Sequence, residues 1–160
     1  MEIKKFIATS IRKYLNENDI SDNMLKSLNT DKLSDLSFNG LPSKKGWKIS
    51  IAGKKMEDVY DLYSRLHNWL DNHNIAHKIS TKKRVESGVF EQNRKLFTIY
   101  VPDNTNINDL LIKIEYLLKG YNGWYGIKLP FKGYEVYSGG ISFRNDRNEH
   151  GVYIPAKDTN

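Results

Sequence analysis

A segment near the end of the sequence combines the residue types that bind anions. Residues 133–147 read GYEVYSGGISFRNDR, so tyrosines and glycines surround two arginines, Arg144 and Arg147. Arginine presents a planar, permanently charged group that holds a phosphate or a carboxylate at two points, and glycine lets the backbone approach the bound anion. The segment therefore indicates an anion-binding site.

Two lysines further upstream could act on a bound phosphate ester. Lys48 and Lys78 each lie in a stretch that alternates apolar and polar residues, as a half-buried strand does. Neighbouring cations disfavour each other's charged form, so we expect at least one of these lysines to have a lowered pKa and to serve as a base near neutral pH. Arg144 and Arg147 would bind the departing phosphate, and Tyr100 would orient it or stabilise developing negative charge.

The loop between residues 80 and 96 is a second candidate for binding an anion. Its basic residues are Lys82, Lys83, Arg84, Arg94 and Lys95. With Phe90 inside it and Tyr100 on the strand that follows, such a loop could clamp a phosphate or stack a base. Two glutamates dilute its charge, and loops of mixed charge are common on surfaces, so a merely solvated loop is the alternative.

Other kinds of site lack their sequence signals. The chain has no cysteine, which excludes disulfides, thiol catalysis and thiolate metal sites. Neither a Walker loop nor a GxGxxG motif occurs. The four histidines show no recognised metal-ligand spacing, so we predict neither a metal nor another cofactor; they are His67, His73, His77 and His150.

The periodicities place the candidate residues on an α+β sandwich. From residue 46 onward the predicted order is β-α-β-β-α-β with a hairpin-rich tail, whose strands lie near residues 124–129, 134–137, 141–143 and 152–154. We predict a mainly antiparallel sheet with helices on one face only, because its strands expose alternating polar residues. Lys48 and Ser50 share a face of one strand. Lys78, Thr98 and Tyr100 join them if the strand registers agree.

The first 40 residues read as a separate helical segment. Residues 3–15 show helical spacing of apolar side chains, and Met24, Leu25 and Leu28 continue in a second short helix after Ser21. This segment either packs on the rest of the chain or serves as a docking element. Residues 38–43 contain glycine and proline and are typical of a linker. We therefore divide the chain into an N-terminal helical segment, 1–40, and an α+β domain, 44–160.

The excess positive charge lies in the second of these parts. Residues 1–40 carry six Lys+Arg and six Asp+Glu, whereas residues 41–160 carry nineteen and thirteen, so the net charge of +6 arises there. A basic surface attracts and steers an anionic partner, such as a phosphorylated or acidic protein or a nucleic acid. Nowhere do about 18 apolar residues run together, and the first residues do not read as a secretory signal, so we expect neither membrane association nor a signal peptide.

Four short segments resemble those of phosphothreonine lyases. They are residues 46–51 (GWKISI), 77–79 (HKI), 95–100 (KLFTIY) and 142–147 (SFRNDR), which stand in the order and rough spacing found in that family. Its members are bacterial effectors that irreversibly dephosphorylate host kinases, and the lyase domains of class III and IV lanthipeptide synthetases are similar. The resemblance extends over residues 46–147 and would make the second part of the chain a phosphothreonine-lyase-like domain.

The resemblance implies a metal-independent β-elimination of phosphate from phosphothreonine or phosphoserine in a peptide or protein. The product is a dehydroamino acid. Lys78 matches the lysine that acts in the family as general base on the α-proton, and Lys48 matches the lysine that polarises the neighbouring carbonyl or phosphate. Tyr100 falls on the tyrosine that closes the third strand. Such a protein would act in the cytoplasm or be delivered into a host cell as an effector.

The resemblance also implies arginines that bind the phosphate of the substrate. Arg144 matches one of them, and Arg147 is a second candidate whose match is shifted by one residue. The family has a further arginine before the third strand, for which this sequence shows no clear equivalent. Arg84 and Arg94 are the residues that would take its place.

One position departs from the family's pattern. Two residues after the strand lysine the family has a histidine, the general acid that protonates the departing phosphate, and this sequence has Ser50 there. A serine has no pKa suited to that task near neutrality. Another group such as His77 or His150 supplies the proton, or elimination is slow, or the fold serves binding alone. His77 adjoins Lys78, so in an extended strand it should point to the opposite face.

Two functions from different classes stay open on this basis. The first is a carbon–oxygen lyase acting on phosphorylated Ser or Thr. The second is a non-catalytic basic module that binds a phosphorylated or acidic protein, or a single-stranded nucleic acid whose bases stack on aromatic side chains of the sheet. Steep loss of binding with added salt would favour nucleic acid, whereas phosphopeptide binding should depend on the phosphate itself.

Overall fold

Six antiparallel strands form one sheet in the described part of the chain, which confirms the predicted α+β class. The structure is a computed structural model that describes residues 20–40, 44–87, 91–148 and 150–154. The strands are β1 (Asp35–Phe38), β2 (Trp47–Ala52), β3 (His77–Ser80), β4 (Lys95–Tyr100), β5 (Glu135–Ser138) and β6 (Ile141–Asn145). Their order across the sheet is β1-β3-β4-β2-β6-β5.

Two long helices cover one face of this sheet. The helices are α1 (Asp22–Leu28), α2 (Met56–Asn72), α3 (Lys82–Glu86) and α4 (Ile107–Leu117), and a 3₁₀ turn spans Glu91–Arg94. Helix α4 begins where the Asn106 side chain accepts hydrogen bonds from the first backbone amides of the helix. Leu66 of α2 and Ile114 of α4 are fully buried together with Ile49 of the central strand β2. Burying one such side chain contributes about 1.5–3 kcal/mol to folding.

The edge strand β1 was not expected from the sequence. It lies inside the segment 1–40 that was predicted to be helical, and it pairs with β3 along its whole length. Four residues are too few to show a reliable alternation, so the pairing with β3 determines their conformation. Helix α1 is confirmed, and Ile20 and Leu28 belong to the main core. The described part of the segment therefore packs on the domain; the helix predicted for residues 3–15 lies outside the described residues.

The chain after α4 also differs in part from the expectation. Strands β5 and β6 are confirmed, but the strand predicted at residues 124–129 is wrong, since this stretch forms turns. Trp124 packs its ring against Gly139 and Gly140 instead of adding its backbone to the sheet. The predicted strand at 152–154 is reduced to one bridge, between Arg147 and Tyr153. No helix within the described ranges has the length and apolar character needed to cross a membrane.

Candidate functional site

The strand registers bring the predicted site residues onto one face of the sheet. Lys48 is directly opposite Tyr100 of β4 on one side and Arg144 of β6 on the other. Thr98 is opposite both Ser50 and Lys78. Directly paired residues of antiparallel strands project to the same face. We call this surface, away from α2 and α4, the open face; its site residues are Lys48, Ser50, Lys78, Thr98, Tyr100, Ser142 and Arg144.

Lys48 occupies the centre of the charged part of the open face. Its side chain is only 16% exposed, and its Nζ lies 3.6 Å from a carboxylate oxygen of Asp146. Burial is the main cause of a lowered pKa of Lys48; Asp146 acts in the opposite direction. Three further cations lower this pKa, namely Arg144, Lys95 and Lys78. The expectation that a strand lysine has a lowered pKa is therefore met by Lys48.

Lys78 shares a carboxylate with Arg84 at the β1 side of the open face. The Lys78 Nζ lies 4.0 Å from Asp35 Oδ2. Arg84 donates to both oxygens of the same carboxylate, at 2.9 and 3.1 Å. Of the two arginines considered for the place before the third strand, Arg84 thus borders the site. Arg94 instead donates to the backbone carbonyl of Lys54 at 3.1 Å.

The two arginines of the C-terminal segment have different surroundings. Arg144 is 8% exposed and donates through Nη2 to the backbone carbonyl of Ile154. The chain after β6 therefore folds back over the guanidinium that would bind phosphate. Arg147 donates to the carbonyl of Gly151 at 3.3 Å and lies against Gly46, where an added Cβ would be 2.2 Å from Arg147 Cγ. Arg147 is thus held by the turn that follows β6.

Tyr100 is a protonated phenol at neutral pH. Burial, followed by the negative charge of Asp35, raises the pKa of Tyr100 to about 12. Smaller contributions come from Tyr134, Asp146 and Tyr153, so the residues of the loop before β5 and of the tail lie near this hydroxyl. A protonated phenol donates a hydrogen bond, which suits the predicted role of orienting a phosphate.

The floor of the open face is made of small hydroxyl side chains. Ser50 and Ser142 are fully buried and directly opposite each other, and Thr98 is on the other side of Ser50. The Ser50 and Thr98 hydroxyl oxygens are 3.4 Å apart. Within the described residues, the buried Ser142 hydroxyl has no hydrogen-bond partner. A buried polar group without a partner is costly, so this hydroxyl is a polar position of the floor that the fold itself leaves unsatisfied.

Tyr134 covers Ser50 and was not foreseen as a site residue. The Ser50 hydroxyl donates to Tyr134 Oη at 3.1 Å. Tyr134 belongs to the loop between α4 and β5 and packs with Phe131 and Ala52 over one end of the open face. Two lysines lie near its ring, with Lys48 Nζ at 5.9 Å and Lys95 Nζ at 5.2 Å from the centroid. The sequence predicted Tyr134 as the first residue of a strand at 134–137, whereas in the structure it belongs to the loop just before β5.

The two histidines that the sequence suggested as proton donors, His77 and His150, have other surroundings. His77 is buried on the helix side, as predicted for a neighbour of Lys78. Its ring contacts His67, with the two nitrogens 2.9 Å apart, and its Nδ1 lies 2.8 Å from the carbonyl of Ile75. His150 is exposed in the turn after β6. No group of three or more potential metal ligands occurs within the described ranges.

Comparisons of the chain with protein-family models and with curated proteins give no match. The relation to phosphothreonine lyases therefore stays a prediction from four short segments. The structure itself places two strand lysines, a protonated tyrosine and a buried arginine on one face of an antiparallel sheet.

Proposed function

We propose that the chain is a metal-independent lyase that eliminates phosphate from phosphothreonine or phosphoserine in a peptide or protein. The supporting observation is the shared face of Lys48, Lys78, Tyr100 and Arg144, whose strand partners are in direct register. The base and the anion-binding groups of an elimination must reach the same few atoms, so they must project from the same face. Such an enzyme would meet its substrate in the cytoplasm or, as an effector, in a host cell.

The reaction needs a base, an anion site and a route for electrons. The side-chain nitrogen of Lys78 takes the α-proton, the electrons of the broken Cα–H bond form the Cα=Cβ double bond, and the Cβ–O bond breaks. Phosphate leaves with the electron pair of the broken Cβ–O bond. Arg144 binds the phosphate after releasing the carbonyl of Ile154, and Lys48 and Tyr100 stabilise the negative charge that develops.

Electrostatics supports a second distribution of roles between the lysines. A base must be neutral before it takes a proton, and Lys48 has the lowered pKa. Lys78 is matched to the base by the resemblance, and it lies on the same face. The proposal assigns the base to Lys78 and the charge stabilisation to Lys48; single substitutions of the two lysines separate these roles.

A non-catalytic phosphate-binding module is the second candidate function. The full burial of Ser50 beneath Tyr134 favours it, because the position of the family's general acid carries no titratable group. Binding would still use Arg144 and the two lysines. Single-stranded nucleic acid fits less well, since Tyr134 is only 6% exposed and is packed edge-on to Phe131, which leaves little ring surface for stacking.

Mass spectrometry of phosphopeptides tests the proposal. Phosphothreonine and phosphoserine peptides, including a doubly phosphorylated kinase activation-loop peptide, are incubated with the wild type, with Lys78→Ala and with Lys26→Ala. Lys26 is an exposed lysine of α1, an element that contributes no residue to the open face, and it is the matched control. We expect the mass loss of phosphoric acid with the wild type and the control only.

The outcome also separates the two candidate functions. Peptides that stay unchanged with the wild type contradict the lyase. Fluorescence anisotropy then compares binding of the phosphorylated and unphosphorylated peptides, and binding that needs the phosphate and Arg144 identifies the non-catalytic module.

A further inference from the structure

The departing phosphate needs a proton donor that the proposed roles do not supply. Phosphate that leaves without a proton is a strong base, so protonation of the oxygen that leaves Cβ lowers the barrier. Ser50 is not acidic enough, and Tyr100 is a weak acid because burial and the charge of Asp35 raise its pKa to about 12. His77 is buried on the other side of the sheet. With Lys48 assigned to stabilising the negative charge, the donor is sought in another group that stands over the open face.

Tyr134 has its hydroxyl at that place. Its Oη lies 3.1 Å from Ser50 Oγ, above the middle of strand β2 and between the strands that carry Lys78 and Arg144. The Ser50 hydroxyl donates to the phenol oxygen, and a hydrogen bond donated to a group that becomes anionic stabilises the anion. The ammonium groups of Lys48 and Lys95, near the ring, act in the same direction.

We propose that Tyr134 gives its phenolic proton to the phosphate oxygen that leaves Cβ. This inference rests on the proposed lyase function. As the Cβ–O bond breaks, its electron pair goes to the oxygen, which takes the proton of Tyr134. Lys78 meanwhile holds the α-proton. Water then takes a proton from Lys78 and returns one to the Tyr134 phenolate, so the net change is phosphopeptide to dehydropeptide and phosphate.

The serine at position 50 and the tyrosine at position 134 are sterically matched. Ser50 is fully buried, and the nearest hydroxyl above it is that of Tyr134. A side chain larger than serine at position 50 would enter the space that the phenol occupies, because protein interiors are close-packed. The small residue thus lets the loop bring a phenol onto the sheet.

The test compares Tyr134→Phe with Tyr125→Phe. The first substitution keeps the ring, its packing on Phe131 and its contacts with the lysines, and removes the hydroxyl. The control, Tyr125, belongs to the same loop and is 69% exposed. We expect kcat for phosphate release to fall about 100-fold or more in Tyr134→Phe with little change in KM, since general acids contribute about 10²–10⁴. The control should match the wild type.

A second substrate separates proton donation from a structural role. A peptide with β-chloroalanine in place of phosphoserine loses chloride, which needs no proton. We expect Tyr134→Phe to eliminate chloride as fast as the wild type does. If Tyr134→Phe eliminates phosphate and chloride more slowly than the wild type by the same factor, or eliminates both as fast as the wild type, the inference is overturned while the lyase proposal stands. Absence of elimination by the wild type overturns the lyase proposal and this inference with it.

A third variant keeps the inference testable if Tyr134→Phe does not fold. Ser50→Ala retains the phenol and removes the hydrogen bond that the phenol oxygen accepts. We expect kcat for phosphate release to fall about 2- to 10-fold, the effect of one hydrogen bond, and chloride release to stay unchanged. An unchanged kcat for phosphate in this variant contradicts the assigned role of Tyr134.

Discussion

The ammonium of Lys48 lies 3.6 Å from the carboxylate of Asp146, just beyond the end of the neighbouring strand β6. This carboxylate opposes the lowering of the Lys48 pKa by burial and by the surrounding cations. Asp146 therefore reduces the fraction of Lys48 that is neutral at a given pH. The pair is mostly buried, so screening by salt should affect it less than it affects a surface pair.

Asp146→Asn should lower the pKa of Lys48 further. The substitution removes the negative charge that favours the ammonium and leaves the desolvation and the repulsion from Arg144. We expect the Lys48 titration, followed by NMR of its side-chain nitrogen, to move to lower pH. Any step that depends on neutral Lys48 should move with it. A titration that stays in place or moves to higher pH would show that Asp146 does not act on this lysine.

Arg144→Ala should weaken phosphopeptide binding much more than Arg147→Ala. Arg144 is on the open face opposite Lys48, whereas Arg147 is held by the carbonyl of Gly151. Loss of charge-assisted hydrogen bonds to phosphate corresponds to about 10- to 100-fold in affinity. We expect this loss for Arg144→Ala and less than about threefold for Arg147→Ala, measured by isothermal titration calorimetry. Equal losses of affinity in the two variants would show that Arg147 also binds the phosphate, as the sequence predicts.

The stability of the fold should fall as the pH drops below about 6.5, the ordinary pKa of histidine. Burial lowers the pKa values of both His67 and His77. A lowered folded-state pKa means that the unfolded chain binds more protons, so the free energy of unfolding rises with pH between the folded pKa and about 6.5. Each histidine contributes up to about 1.4 kcal/mol per pH unit in that window.

The hydrogen bonds of His67 and His77 also predict that the stability falls at low pH. His77 donates through Nδ1 to the carbonyl of Ile75, so its Nε2 accepts from Nδ1 of His67. A protonated His77 would place a second N–H against that donor. Urea unfolding at pH 5 and pH 7.5 checks the prediction, with the exposed His73→Gln as a control that keeps the dependence. His77→Leu should reduce it; an unchanged dependence would place its origin elsewhere.

Gly46→Ala should destabilise the protein more than Gly40→Ala. Both glycines have positive φ, 81° and 85°, so alanine is strained at either position, by about 1–3 kcal/mol. Only at Gly46 would the new Cβ meet other atoms, the nearest being Arg147 Cγ at 2.2 Å; Gly40 faces open space. The difference between the two free energies of unfolding isolates the steric part. Equal values would mean that the turn around Arg147 yields without cost.

The sequence by itself determined features that depend on neighbouring residues. A period of two places Lys48 and Ser50 on one face of a strand and His77 opposite Lys78, because successive side chains of a strand point to opposite sides. The helical spacing of apolar residues likewise determined α2 and α4, and with them the side of the sheet that is covered. These predictions need no knowledge of which strands meet.

Only the tertiary structure decided which side chains share the site. The pairing of Lys48 with Tyr100 and with Arg144 joins residues far apart in the chain, and a shift of one residue in register would have turned one partner away. The periodicities predicted strands at residues 124–129 and 152–154, but the first stretch belongs to the loop that leads to Tyr134 over Ser50, and the second to the tail that covers Arg144. Their positions result from packing and hydrogen bonds between distant segments, which local residue order does not encode.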